Sequence, residues 1–500
     1  QGPCAPLLGP GSSLRYGRDD GGVEWLRTAR YQSAMSENLY DILAAGFPAD
    51  RGKPCFLLSD GAEISYGVLE TAAGQVAARL LAEGVESGDR VALQVEKSWQ
   101  AVAIYLGALK AGAVFLPLNA AYTEVEVNYF RKDAEPRVFI TDAEAFVLEA
   151  KAFAPLEQAV ARASADLASI IYTSGTTGRS KGAMLSHGAL AANAAALHAI
   201  WEFSPDDVLL HALPIFHVHG LFVAMHCVFL SGCPMVWLPK FADAEVLAGL
   251  ARSTVMMGVP TFYTRLLDNP DFTRERAAHM RLFISGSAPL LPSTFADFEA
   301  RTGMRILERY GMSEAVIITS NPVRGGRLAG SVGYPLPGVE LRIAGGEATG
   351  GIEIRGPSVF TAYWRMPQKT AEEFTADGFF ITGDVGRQDE DGRVWISGRA
   401  KDLIISGGYN VYPKEVELVL DEMAGVTESA VIGVPHKDFG EAVVAVVIGA
   451  GDEAAMIAEA RRQLAAYKAP KRVMFVDDLP RNAMGKVQKN LLRQTYAGLF

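Results

Sequence analysis

The pattern of apolar and polar positions divides this chain into alternating short strands and amphipathic helices over most of its length. A hairpin opens the ordered pattern, with Phe56–Leu58, a turn at Asp60-Gly61 and Glu63–Tyr66. A helix follows from about Gly67 to Ala82, ended by Gly84. The run then reads as strand Arg90–Val95, helix Ser98–Lys110, strand Ala113–Pro117, helix Thr123–Asp133 and strand Val138–Thr141. Such alternation predicts βαβ units and mainly parallel sheet. The Ala/Glu-rich stretch Asp142–Asp166 carries little strand signal and reads as a connector.

Apolar strands resume at Ala168–Tyr172, Val208–Leu213, Met235–Leu238, Val255–Gly258, Leu282–Ser285 and Ile306–Tyr310. From Val339 the pattern shifts to short β segments punctuated by Gly345-Gly346 and Gly350-Gly351, which predicts a β-rich lobe. Beyond Arg399–Asp402 a helix opened by Pro413, strands Ala430–Val434 and Val443–Ile448, a helix through Ala454–Leu464 and strand Arg472–Val476 form a separate small unit. The expected fold is α/β: a large N-terminal domain of βαβ-built sheets with a β-rich lobe, plus a small mobile C-terminal α/β domain. The expected boundaries are an extension over 1–34, poorly ordered and outside the fold, a large domain over 35–398, a hinge over 399–402 and a small domain over 403–500.

Composition narrows the function classes. With 500 residues the chain can bury a large core, and a net charge of −10 argues against a general nucleic-acid binder. Cys4, Cys55, Cys227 and Cys233 show neither metal-ligand spacing nor a disulfide framework, which fits a reducing, cytoplasmic setting. The longest apolar stretch, Leu221–Leu238, is interrupted by Gly232 and Pro234 and reads as a buried helix turning into a strand rather than a membrane span.

The most distinctive chemistry follows the strand Ala168–Tyr172. Thr173, Ser174, Gly175, Thr176, Thr177, Gly178, Arg179, Ser180, Lys181 and Gly182 combine hydroxyls, glycines and a lysine, a composition that suits a polyphosphate. The common NTP-binding loop needs Gly-Lys followed by Ser or Thr, whereas Lys181 lies between Ser180 and Gly182. A kinase or GTPase is therefore a poor reading. At Glu308-Arg309-Tyr310-Gly311-Met312-Ser313-Glu314 a strand ends in a glycine, a hydroxyl and a carboxylate; taken alone, Glu308 and Glu314 read more simply as solvated caps. Asp384 in Thr382-Gly383-Asp384 reads alone as a turn aspartate, and Lys486 after Gly485 as a solvated lysine.

Together and in this order, the glycine loop, the Tyr310–Glu314 run, Thr382-Gly383-Asp384, Gly398-Arg399 and Gly485-Lys486 resemble the adenylate-forming enzymes: acyl-CoA synthetases, peptide-synthetase adenylation domains and beetle luciferases. The resemblance covers nearly everything from Met35 onward. It implies a two-step ligase in which a carboxylate attacks the α-phosphate of Mg²⁺·ATP to give an acyl-adenylate, and CoA then displaces AMP. By the same resemblance Thr173–Lys181 would hold the β- and γ-phosphates, and Lys486 would act at the α-phosphate. Gly286, Ser287, Ala288, Pro289 and Tyr310 would frame adenine within a nucleotide site extending over Glu308–Ser313. Asp384 and Arg399 would take the ribose, and Glu314 with Thr173 would take Mg²⁺. Lys401 would be the pivot, and Ser406, Gly407 and Gly408 would line a CoA tunnel.

Phe216-His217-Val218-His219-Gly220, Gly258-Val259-Pro260-Thr261-Phe262-Tyr263 and Pro480-Arg481-Asn482-Ala483-Met484-Gly485-Lys486 look most like the malonyl-CoA synthetase subgroup. A second carboxylate calls for a guanidinium partner, and Arg265 and Arg281 are the candidates; each reads equally well as a surface or ion-paired residue. The resemblance gives Arg265 the distal carboxylate, with His217 and Arg179 in support and Val218 and Ile317 at the acid. Where the subgroup continues with Met and Asn after the glutamate, this chain has Ala315-Val316-Ile317-Ile318, a departure that either gives room for methylmalonate or relaxes the demand for a diacid. The expected partners are therefore small molecules: ATP, CoA and a dicarboxylic acid. A monocarboxylate CoA synthetase, a carrier-loading adenylation enzyme and a non-catalytic ATP-binding protein are the alternatives. No carrier-type serine motif follows the Lys486 loop, so free CoA is the expected acceptor.

Overall fold

A computed structural model describes residues 37–173, 180–346, 348–407, 409–481 and 486–500. Its larger part contains two sheets. In the first, strands Val138–Ile140, Arg90–Gln94, Val114–Leu118 and Leu167–Thr173 run parallel in that order, and Lys181–Ser186 closes the edge antiparallel. Every residue of Val114–Leu118 is buried, as expected for a strand covered on both faces. Helix Trp99–Lys110, capped by the Ser98 hydroxyl, is buried continuously from Ala101 and so is apolar all round.

The second sheet is a single path of 13 strands. Its central strands Met235–Trp237, Leu209–His211, Val255–Gly258, Leu282–Ser285 and Leu307–Met312 are parallel. From Leu307–Met312 the path turns antiparallel through Val316–Ser320 and Ser331–Pro335 into the β-rich lobe, which ends with Phe380–Gln388 and Val394–Arg399 among its strands. The stretch Leu221–Leu238 is a π-helical turn, His219–Ala224, running into helix Met225–Ser231 and then strand Met235–Trp237. Among the described residues no helix is long and apolar enough to cross a membrane. Cys55, Cys227 and Cys233 are buried free thiols.

The smaller, C-terminal part carries its own five-stranded sheet, centred on the pair Val426–His436 and Gly440–Gly449, with helices Pro413–Asp421 and Glu453–Gln463. The overall architecture is therefore α/β, a large domain of sheets plus a smaller one. One segment departs from the sequence reading: the connector Asp142–Asp166 holds a helix, Ala143–Ala150. Its buried residues Ala143, Phe146, Val147 and Ala150 fall at i, i+3, i+4 and i+7, and the Asp142 carboxylate accepts the Ala145 N–H at its start. The spacing is helical, but it spans only two turns within an Ala/Glu-rich stretch.

Candidate active site

The parallel strands Val255–Gly258, Leu282–Ser285 and Leu307–Met312 end on one side of the second sheet, the edge where ligands sit in open α/β folds. A cleft of about 310 Å³ opens there between the two parts of the chain. Thr173 and Lys181 reach it from the first sheet, and His217, Val218, His219 and Val223 from the π-helical turn and the residues before it. Ser287, Arg309 and Gly311–Glu314 come from the strand ends. Arg399, Ala400 and Lys401 come from the lobe's last strand and the short turn after it, and Lys486 from the C-terminal part. A π-turn inside a helix commonly marks a functional position, and this one delivers His219 and Val223.

The glycine loop joins two antiparallel strands, with Thr173 opposite Lys181, rather than a strand and a helix. Ser174, Gly175, Thr176, Thr177, Gly178 and Arg179 lie outside the described residues. Lys181 Nζ pairs with Glu373 Oε1 at 3.3 Å and lies 4.1 Å from the Tyr363 ring centroid. Tyr363 in turn donates to Glu314 Oε1 at 3.0 Å. Burial raises the Glu314 carboxyl above its usual range, against the lowering effect of its hydrogen bonds and Lys181. Neither Tyr363 nor Glu373 stood out in sequence, because an aromatic and a carboxylate in a β-rich stretch carry no signal of their own.

On the opposite wall Asp384 is buried, accepting a 2.5 Å hydrogen bond from Tyr310 Oη and an ion pair from Arg399 Nε at 3.1 Å. Burial, then the Asp384 charge, pushes the Tyr310 phenol well up, so it stays a donor. Lys401 and Lys486 are both lowered, chiefly by desolvation and then by repulsion from Arg399. Lys486 nevertheless keeps contact with solvent at the cleft mouth.

The third wall holds Arg309 and two histidines. Arg309 is only 5% exposed, and its Nε and Nη2 have no hydrogen-bond partner among the described residues. A buried guanidinium with unmet donors is costly, and here burial lowers its pKa to about 9. Burial likewise lowers His217 to about 3, with Lys486 and Arg309 adding repulsion, and depresses His219 strongly. Both imidazoles are therefore neutral at pH 7. His217 Nδ1 accepts the His219 N–H at 3.3 Å, which leaves its Nε2 as the donor. Val316 and Ile317 complete the wall. Val316 has φ 59°, a left-handed conformation that β-branched residues rarely adopt. The hairpin is so tight there that a side chain on Gly311 would meet the Val316 carbonyl oxygen at 2.0 Å.

Several sequence expectations place residues elsewhere. Arg265 does not line the cleft. It is 51% exposed, pairs with Asp243 at 2.8 Å and stacks on Phe241, beside a separate surface depression. Helix Pro260–Asp268 turns Tyr263 and Leu266 inward, which leaves Arg265 facing out. Arg281 is also absent from the cleft: its guanidinium forks onto Asp207 at 2.6 and 2.8 Å. It precedes strand Leu282–Ser285, at the end of the strand away from the cleft. Ser287 reaches the cleft, whereas Ala288 and Pro289 beyond it are exposed. Glu308 is buried beneath, accepting the Gly330 N–H, and burial raises it to about 8. Ser406 and Gly407 lie on the C-terminal part and do not line the cleft, with the Gly407 N–H donating to Phe439 O, and Gly408 is outside the described residues.

Residues 44–364 match the AMP-binding enzyme family and residues 415–486 its C-terminal domain, so the chain belongs to the AMP-binding enzyme family. Among curated relatives, the chain is 32% identical to a malonate–CoA ligase of Arabidopsis thaliana, covering 98% of this chain and 94% of the relative. It is also 32% identical to a long-chain-fatty-acid–CoA ligase of Bacillus subtilis, over 86% of this chain and 90% of that one. Among solved structures, ATP-bound MatB from Rhodopseudomonas palustris superposes with a TM-score of 0.89 at 50% identity, over 93% of this chain and all of that one.

Proposed function

We propose that this chain is an ATP-dependent acid–CoA ligase whose preferred acid is malonate, with methylmalonate tolerated. Relatives at the same identity act on acids with and without a second charge, so the choice of acid must be argued from the site. The observation that carries it is Arg309: a buried guanidinium on the cleft wall with two donors unmet. A monocarboxylate would leave that cost in place, whereas a distal carboxylate would relieve it by bidentate pairing. This reading moves the acid-binding role from Arg265 to Arg309, with neutral His217 and His219 as further donors. Val218, Val223, Val316 and Ile317 bound the same space and suit a methyl substituent on the acid's central carbon.

In the first step a carboxylate oxygen attacks the α-phosphorus and the bond to the bridging oxygen breaks, releasing pyrophosphate. Lys486 stabilises the charge that gathers at the α-phosphate, and Lys181 with the loop from Thr173 holds the departing pyrophosphate. Lys181 must leave Glu373 to do so. Tyr310 and Arg399 orient Asp384, whose remaining lone pairs accept the ribose hydroxyls. The donor set fits Mg²⁺, which is commonly held by one or two carboxylates together with substrate phosphates: Glu314 and the Thr173 hydroxyl would hold it, and it would neutralise phosphate charge. In the second step the CoA thiolate attacks the acyl carbonyl and AMP leaves.

A rotation about Lys401 would withdraw Lys486 and bring Ser406–Gly408 to the acyl group, with 35–398 and 403–500 as the two moving bodies. The position of Lys401 supports this, since it lies on the Ala400–Asp402 turn between the two family matches. The apolar walls favour a second reading, a short monocarboxylate substrate. Pyrophosphate release measured across malonate, methylmalonate, propionate and butyrate tests the choice: a clear malonate preference that Arg309→Ala abolishes is expected, and equal loss with every acid would refute the diacid reading.

A further inference from the structure

Gly286 follows strand Leu282–Ser285 directly, and its φ is not among the positive ones, so its backbone would accept any residue. What excludes a side chain is space. A Cβ at this position would lie 2.4 Å from both Cζ and Nε of Arg309 and 2.6 Å from Nη1. Carbon contacts are optimal at about 3.5–4.0 Å, so one partner would have to move by more than 1 Å. The glycine is held in place: its N–H donates to Gly258 O at 3.3 Å, and the preceding Ser285 is in register with Gly258. The guanidinium would therefore yield.

We propose that Gly286 is a specificity-determining residue: its missing side chain is the clearance that seats the Arg309 guanidinium, and through it sets the preference for acids bearing a second negative group. The role is one of positioning, and it rests on the assignment of Arg309 to the distal carboxylate. It differs from a nucleotide-contact role in its prediction, because a residue that serves adenine affects every acid alike.

The test compares Gly286→Ala, Arg309→Ala and the double variant in the full chain, by pyrophosphate release with malonate and with propionate and by thermal midpoint. Gly286→Ala should raise the KM for malonate roughly ten- to hundredfold, well beyond any change in KM for ATP or propionate, since displacement of about 1 Å costs that much. In the Arg309→Ala background the same substitution should add nothing to the malonate KM. An equal rise in the KM for ATP with every acid, or additive losses in the double variant, would overturn the proposal. Should Gly286→Ala prevent folding, stability reads the coupling instead: adding Arg309→Ala should restore the fold, and failure to restore it counts against the clash. If Arg309→Ala alone spares the malonate preference, the diacid reading falls, while the thermal midpoints still decide whether Gly286 acts on Arg309.

Discussion

Two regions of this molecule each set an arginine beside apolar and aromatic residues, and in only one of them do two of the arginine's donors lack a partner among the described residues. On the outer face of helix Pro260–Asp268, Arg265 lies over Phe241 and is matched by Asp243 in solvent. In the cleft, Arg309 stands beside two neutral histidines and branched aliphatic residues, with no carboxylate paired to it among the described residues. A satisfied surface pair describes the protein's own stability, whereas a buried guanidinium with unmet donors is the feature on which the proposed acid site rests. The side chain alone does not distinguish them; the depth and the missing partner do.

The sharpest break in that comparison would come at Lys486, which among the described residues is the cation that the C-terminal part brings to the cleft. Lys486→Ala should reduce adenylate formation by about 10²–10³, the scale of losing a donor aimed at developing charge. Thioester formation from preformed acyl-adenylate should survive, and single-turnover assays of the two half-reactions check this. Next, Arg309→Ala should cost about 2–5 kcal/mol in kcat/KM for malonate, the range for truncating one partner of a buried charge pair. The loss with propionate should be far smaller. Arg281→Ala should lower unfolding stability by about 1–3 kcal/mol, by leaving buried Asp207 without its forked partner, and should leave the KM for malonate unchanged.

A pH series refines the contrast. His217 is held neutral, with its pKa near 3 against an ordinary value of 6.5. Between these values the unfolded chain binds a proton that the folded chain refuses, so stability rises with pH through the window and falls on acidification. His217→Asn should remove that contribution. The stability of the variant relative to the parent should therefore increase as pH drops from about 6.5 towards 3, as followed by denaturant midpoints. Smallest of all, Arg265→Ala should change stability by at most about 1 kcal/mol, as for other exposed pairs, and malonate turnover hardly at all. A large, malonate-selective loss there would return the acid to the outer face.

Much of the architecture was legible because burial writes itself into sequence. The runs around Val114–Leu118, Val255–Gly258 and Leu282–Ser285 are apolar at nearly every position and form strands where the pattern put them. Helix Ala143–Ala150 is only 8 residues long, and its buried Ala143, Phe146, Val147 and Ala150 give little more than one helical repeat against an Ala/Glu-rich background. The cleft wall proposed to hold the acid was harder to read. Arg309 sat within a run whose resemblance pointed to nucleotide, while Arg265 sat in a helix start whose apolar neighbours suggested a pocket. Helical spacing from Tyr263 and Leu266 was the available signal that Arg265 faces outward. The Arg281–Asp207 fork joins residues 74 positions apart, a pairing that no local pattern encodes.

Val316 carries a cost of a different kind. A branched residue with positive φ holds about 1–3 kcal/mol of conformational strain, a sizeable fraction of a domain's whole margin against unfolding. Selection for heat tolerance alone would therefore favour glycine or asparagine at this position, at the expense of the cleft wall that Val316 forms. A library screened first for survival on heating and then for acid preference would show the two demands pulling position 316 in opposite directions.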